Sequence, residues 1–190
     1  MSAQPYPVFL RLDGRRVLIV GGGRVASGKL PALLRAGAPV IVVAPRIREE
    51  LRNSGVELRQ RAFVPADLDG AFFVIAAATP EVNRAVAAAA EERCLFVNAV
   101  DDAANASAYL GGVIQRAGVT VAVSTGGRAP ALAGLLREAL EAVLPEEVGE
   151  WVSLGERIRA QWKERGTPLD ERRPLLFRAL QDLYAAREAP

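Results

Sequence analysis

Between residues 14 and 100, short apolar runs alternate with stretches of helical period. Arg16-Val17-Leu18-Ile19-Val20 lies between Asp13-Gly14 and three glycines, and its β-branched character reads as a buried parallel strand. Arg24 to Ala36 reads as a helix closed by Gly37, with Val25, Leu30, Leu33 and Leu34 as its apolar stripe. Pro31 sits inside it; a missing N–H and a ring clash predict a kink there or a loosened first turn. Val40 to Val43 is a second strand, and the alternating Val56 to Gln60 an edge-like third. Ala71 to Ala77 is continuously apolar, hence a central strand. Alanine-rich Glu81 to Arg93 follows as a helix, then Leu95-Phe96-Val97-Asn98 as a strand. This alternation predicts an α/β fold with a doubly wound parallel sheet.

After residue 111 the pattern changes. Gly112 to Gln115 and Val119 to Val123, separated by Arg116-Ala117-Gly118, predict an antiparallel hairpin. Ser124-Thr125-Gly126-Gly127 then turns into a helix over Pro130 to Leu144, with proline suited to its first turn. Leu132, Leu135, Leu136, Leu140 and Val143 form its apolar stripe, and Pro145 closes it. Two helical stretches follow, Val148 to Arg165 and Arg173 to Arg187, split by Gly166-Thr167-Pro168. The expected organisation is a sheet domain over 1–111, a small α+β hairpin-and-helix segment over 112–146, and a C-terminal helical region over 147–190.

Composition narrows the chemistry. With one cysteine and no histidine, an internal disulfide, a Cys/His zinc site and a Ser-His-Asp triad are excluded. Cys94 precedes Leu95-Phe96-Val97 and is expected to pack as a small buried residue. A net charge of +2 argues against a dedicated nucleic-acid binder. Apolar runs fall short of the ~18 residues that span a bilayer. Met1 to Phe9 also lacks the basic-then-apolar order of a secretory signal. A cytoplasmic location is expected.

Gly21-Gly22-Gly23-Arg24-Val25-Ala26 fits G-x-G-x-x-A after a strand and at the opening of a helix. The first glycine permits a tight exit, and the third lets a pyrophosphate approach the backbone. Ala26 keeps the helix near the sheet, and free N–H groups at the helix start attract phosphate. The sheet is therefore expected to be Rossmann-like and to bind a dinucleotide through Gly21, Gly22, Gly23, Arg24 and Val25. An acid for the ribose belongs near the end of the second strand, yet Ala44-Pro45-Arg46 supplies none. Arg46 either faces a 2′-phosphate, favouring NADP, or is a solvated arginine. Backbone groups near Ala44 and Pro45 offer an alternative hold on an NAD ribose.

Several separated motifs resemble the dehydrogenase/ferrochelatase module of siroheme synthesis. They are Pro7-Val8-Phe9; the strand and glycine turn Val17 to Ala26, with Lys29 after it; Ala77-Ala78-Thr79 with Val82-Asn83; Asn98-Ala99-Val100-Asp101 with Ala106-Ser107; Val121 to Gly127; and Pro130 with Leu135-Leu136-Arg137-Glu138. Their order and spacing run from about residue 7 to 149. The resemblance implies NAD-dependent oxidation of precorrin-2 to sirohydrochlorin; the Arg46 reading leaves NADP open. Some members also insert ferrous iron. It further implies a homodimer formed through the hairpin and the following helix. Because the chain ends at Pro190, it is expected to lack the methyltransferase domain fused to some members.

Roles follow from the chemistry. Oxidation removes a hydride and a proton, and a carboxylate near the macrocycle can take the proton. Asp101, just past a strand's carboxyl end, is the catalytic candidate and matches the family's essential Asp; otherwise it caps a turn. Adjacent Asp102 is disfavoured by the Asn-x-Val-Asp register. Ser124, Thr125, Gly126, Gly127 and Arg128 are expected to hold a substrate carboxylate at a helix N-terminus, a role compatible with simple capping. Asn98 and Ser107 are expected to shape the same cleft, Thr79 to stand at the cofactor, and Asn83 to order the strand-to-helix loop near the cofactor. No metal-ligand set is assigned. Basic residues of the tail, such as Arg157 and Arg159, either attract the anionic substrate or form a solvated face. The rival reading keeps the fold but makes the chain a dinucleotide-sensing regulatory module.

Overall fold

The computed structural model describes residues 4–188, with side chains through Ala185. The chain divides into two compact units. One runs through Leu110 and takes in Ser124–Ala129; the other comprises Gly111–Val123 and the chain from Pro130 onward.

The first unit is built on a five-stranded sheet in the order β3-β2-β1-β4-β5. Its strands are β1 (Val17–Val20), β2 (Val40–Val43), β3 (Glu57–Arg59), β4 (Phe73–Ala76) and β5 (Phe96–Ala99), all paired in parallel. β3 lies at an edge and β4 inside, as their alternating and continuous patterns predict. Helices α1 (Arg24–Arg35), α2 (Glu49–Arg52) and α3 (Pro80–Glu91) make the crossovers, with a 3₁₀ turn at Pro65–Leu68. The alternating strand side chains feed two cores. Val17, Ile19, Val42 and Ile75 pack with Leu30 and Leu33 of α1 and with Leu51. Leu18, Val20, Ile41 and Val74 pack with Leu68 and with Val86 and Ala90 of α3. Cover on both faces explains why β1, β2 and β4 lack polar alternation.

Local sequence explains the helix ends. Gly37 adopts φ +74° after α1. Its N–H donates to the Leu34 carbonyl at 3.0 Å, and that of Ala38 to the Leu33 carbonyl at 3.1 Å, a Schellman stop. α1 runs through Pro31 without interruption. Proline there is exposed, on the side where water can take the lost backbone partner. Two expectations are corrected. Val25 and Leu34 are exposed, so the buried stripe of α1 is Ala26, Leu30 and Leu33. Cys94 is exposed too: it takes φ 54° in the turn that reverses the chain after α3, which aims its side chain outward.

The second unit contains the antiparallel hairpin β6 (Gly112–Arg116) and β7 (Val119–Val123). It also holds α4 (Pro130–Val143), α5 (Val148–Arg165) and α6 (Leu169–Glu188). α6 begins earlier than predicted, at Leu169, and runs through Pro174. Trp151 Nε1 donates to the Tyr184 hydroxyl at 3.0 Å, and that hydroxyl donates to Glu147 at 2.9 Å, pinning α5 to α6. The predicted stripe of α4 is present in sequence but outward-facing. Leu132, Leu135, Leu136, Leu140 and Val143 are all exposed, and Ala133 is the buried residue of that helix. Among the described residues, no helix is long and apolar enough to cross a membrane.

Candidate functional site

The parallel registers place Val20, Val43, Ala76 and Ala99 at matching rungs. The residues that follow them therefore leave the sheet along one edge. In open α/β sheets, ligands bind at that carboxyl edge, where the strand order reverses. Here the reversal falls between β1 and β4. A cavity of about 850 Å³ opens there, within the range of ligand sites. Its lining includes Gly21, Gly22, Gly23, Arg24, Ala44, Pro45 and Thr79, so the structure brings these predicted residues together.

Each glycine has its own reason. Gly21 adopts φ +128°, and a Cβ there would lie 2.2 Å from the Ala77 carbonyl oxygen. A Cβ on Gly22 would lie 2.1 Å from the Arg46 carbonyl oxygen. Gly22 must therefore be bare because the 45–48 segment rests on it. The Arg48 N–H donates to the Gly22 carbonyl at 2.9 Å. Gly23 has nothing within 4 Å of its would-be Cβ. It stands open at the start of α1, the arrangement that lets a phosphate reach backbone N–H groups. The residues present thus fit a dinucleotide.

Val25 and Asn83 are not part of the lining. Asn83 is buried, and its Oδ1 accepts from the Ala78 N–H at 2.9 Å. It holds the loop after β4 in place. Sequence reasoning missed Ile47, Arg48, Ala62, Phe63, Ala77 and Val82 as lining residues. Ala62 and Phe63 come from the loop after β3, which carries no motif. That loop is anchored by Asp67, which is buried and paired with Arg59 and Arg61 and accepts from the Val64 N–H at 3.0 Å. The Arg61 hydrogen bond is the main cause that draws the Asp67 carboxyl down to about 2.

Asp101 lies two residues past β5, on the same edge. Two strand spacings of ~4.8 Å separate β1 from β5, so Asp101 emerges roughly 10 Å along the edge from the glycine turn. It adopts φ 56° and is exposed, with no hydrogen bond or ion pair among the described residues. A left-handed non-glycine residue is uncommon, though Asp tolerates it. Asp102 behaves differently. Its carboxylate accepts from the Asn105 N–H at 3.3 Å and from Asn105 Nδ2 at 2.7 Å, and so closes the turn. Asn98 and Ser107 are also occupied within the fold. Asn98 Nδ2 donates to the Ala108 carbonyl at 2.9 Å, and Ser107 Oγ accepts from the Val97 N–H at 2.8 Å. They tie the 105–108 segment alongside β5.

The Ser124–Arg128 turn lies against the loop that carries Asp101. A Cβ on Gly127 would meet Ala103 at 3.2 Å and Tyr109 at 3.3 Å. Ser124 Oγ accepts from the Gly126 N–H, and Thr125 Oγ1 from the Ala129 N–H, each at 3.1 Å. Arg128 Nε donates to the Thr125 carbonyl at 3.4 Å. Both hydroxyls therefore shape the turn, and Gly126 and Gly127 take positive φ within it.

Fold and cavity define an α/β protein of the dinucleotide-binding class. The putative NAD(P)-binding family matches residues 8–112, and the central region of sirohaem biosynthesis proteins matches 116–142. The chain belongs to this NAD(P)-binding family, and the resemblance to siroheme-synthesis proteins read from the sequence is borne out. It is 41% identical over 184 residues to siroheme synthase of Photorhabdus laumondii, covering 94% of this chain and 39% of that protein. It is 41% identical over 187 residues to siroheme synthase of Pseudomonas fluorescens, covering 96% and 40%. The chain thus spans about two-fifths of the length of these relatives. A solved structure of SirC, a precorrin-2 dehydrogenase, shares the fold: TM-score 0.73, 24% identity, covering 94% of this chain and 91% of that one.

Proposed function

We propose that this chain oxidises precorrin-2 to sirohydrochlorin, with a nicotinamide dinucleotide as hydride acceptor. The carrying observation is Asp101, an unpaired carboxylate in a left-handed turn on the edge where the dinucleotide cavity opens. Siroheme synthase relatives and the fold shared with a precorrin-2 dehydrogenase support the substrate. The oxidation removes two electrons and two hydrogens as a hydride and a proton. The nicotinamide, when bound, takes the hydride. Asp101 takes the proton, because its carboxylate is free while that of Asp102 is engaged with Asn105. The Ser124–Arg128 turn, held against the Asp101 loop, receives a substrate carboxylate through Gly127 and Arg128. We place the reaction in the cytoplasm.

The working unit in this reading is a homodimer. The outward stripe of α4 presents clustered aliphatic side chains of the kind that mark an interface. A second copy with the same apolar face is the occupant.

Anaerobic incubation with precorrin-2 and NAD or NADP, followed by absorbance, tests the activity. Asp101→Asn is expected to lower kcat by ~10²- to 10⁴-fold while dinucleotide affinity stays within about twofold. Undiminished turnover in that variant would remove Asp101 from the reaction. Absence of sirohydrochlorin with the unaltered chain would favour the regulatory-module reading. Ferrous iron added after oxidation tests metal insertion separately. In this reading Asp101, whose carboxylate is free while that of Asp102 is engaged, is also the acceptor for pyrrole protons.

A further inference from the structure

The Asp101 loop and the Ser124–Arg128 turn are joined by one aromatic ring. Over 101–110 and 124–128, Tyr109 is the single aromatic residue. Its hydroxyl donates to the Ala103 carbonyl at 3.2 Å, two residues past Asp101. The same ring lies against the turn: a Cβ on Gly127 would stand 3.3 Å from its Cδ1 and from its Cε1. Gly127 takes φ +74° and has no side chain, so the ring settles onto bare backbone. Anchors on two different segments leave Tyr109 little rotamer freedom. Yet the residue is 36% exposed, and Leu110 beside it is 45% exposed.

A ring held this firmly is not there to complete the sheet unit. Tyr109 is not among the residues packed in either apolar core. Ligand sites combine apolar and aromatic surface with a few polar groups that fix orientation. Here the polar groups on either side are the free carboxylate of Asp101 and the exposed cation of Arg128. A tetrapyrrole has the matching layout, an apolar ring system with carboxylates around its rim. Its oxidation lengthens the conjugated system, so the π-face offered to a neighbouring ring grows as the reaction proceeds. Offset contact between π-faces is favourable beyond the area it buries.

We propose that Tyr109 is a macrocycle-binding residue: the open side of its ring takes a face of the tetrapyrrole, and Leu110 extends that apolar surface. This rests on the precorrin-2 reading above. Tyr109 sets where the macrocycle sits between Asp101 and the Gly127–Arg128 turn, and it takes no proton itself.

Titration with sirohydrochlorin, followed by the macrocycle's own absorption and fluorescence, tests this without cofactor or turnover. Binding to the unaltered chain is expected to shift the long-wavelength bands. Tyr109→Phe loses only the hydroxyl and should keep that shift, with Kd within about threefold. Tyr109→Leu keeps apolar bulk without a π-face; it should lose the shift and raise Kd about tenfold, with NADH and NADPH affinities within about twofold. Melting temperature is read on every variant, and should Tyr109→Leu fail to fold, Tyr109→Met carries the same test. A Tyr109→Leu chain that binds sirohydrochlorin as tightly as the unaltered one, with the same band shift, would overturn the proposal. So would a Tyr109→Leu chain that loses mass in light scattering while its sirohydrochlorin binding is intact, since the ring would then serve contact between copies. An unaltered chain that binds no sirohydrochlorin would overturn it together with the precorrin-2 reading, whereas binding undisturbed by Tyr109→Leu defeats Tyr109 alone.

Discussion

The two units solve the problem of burial differently. In the sheet unit, β1, β2 and β4 are buried along their whole length, and two apolar cores flank them. In the hairpin-and-helix unit, the buried apolar residues among those described are Ile114, Ala133 and Val148, while the α4 stripe faces outward. Similar apolar content along the chain thus completes a core in one unit and leaves an unpaired face in the other. The sheet unit can hold a rigid cofactor edge by itself. The other unit is the one expected to draw stability from a second chain.

The largest test of this contrast is in the sheet. Ile75 is fully buried between β1 and β5, and Ile75→Ala should cost about 2–5 kcal/mol through lost transfer energy and a cavity. Chemical denaturation should show that loss at any protein concentration. A cost below about 1 kcal/mol would break the picture of a self-sufficient core.

Next is Asp67, which fixes the loop carrying Ala62 and Phe63. Its carboxyl falls from an ordinary 3.8 to about 2 in the folded chain, chiefly through the Arg61 hydrogen bond. A depressed folded value means stability that is present above the unfolded pKa and is lost as pH falls through the folded one. The contribution is about 2 kcal/mol at pH 7, reduced by solvent screening because Arg61 is half exposed. It should disappear between about pH 4 and pH 2. Asp67→Asn should flatten that part of the stability-against-pH curve, and an unchanged slope would show that the pair contributes nothing.

The smallest effect on a single chain, and the sharpest on assembly, is at α4. Leu135 is 64% exposed, so Leu135→Glu should change the folding stability of a dilute single chain by under ~0.5 kcal/mol. In light scattering at micromolar concentration the same variant should reduce the mass to that of one chain. A single-chain mass for the unaltered protein would remove the homodimer.

Legibility of the sequence varied for physical reasons. The sheet strands could be read because residues buried on both sides must be apolar in succession, as in Phe73–Ala76. The glycine turn could be read because strand exit, close approach and helix start impose residue types at fixed spacing. Cys94 misled because its apolar neighbours hid a left-handed turn. The α4 stripe was legible as a stripe, but its destination was not, since period reports which face is apolar and not what covers it. Asp101 and Asp102 are neighbours of identical type. The motif register favours Asp101, and the Asn105 hydrogen bonds show why: they engage the Asp102 carboxylate and leave that of Asp101 free.

The chain's own order of residues therefore determined the parallel sheet, the phosphate turn at Gly21 to Gly23 and the family, because these depend on local period, on steric limits at glycine and on motif spacing. Tertiary structure decided what surrounds them. It brought Arg46 and Arg48 onto Gly22, set Ala62 and Phe63 into the cavity wall, and laid the Gly127 turn against the Asp101 loop. Those contacts join segments far apart in the chain. They follow from packing between strand exits, which no local pattern encodes.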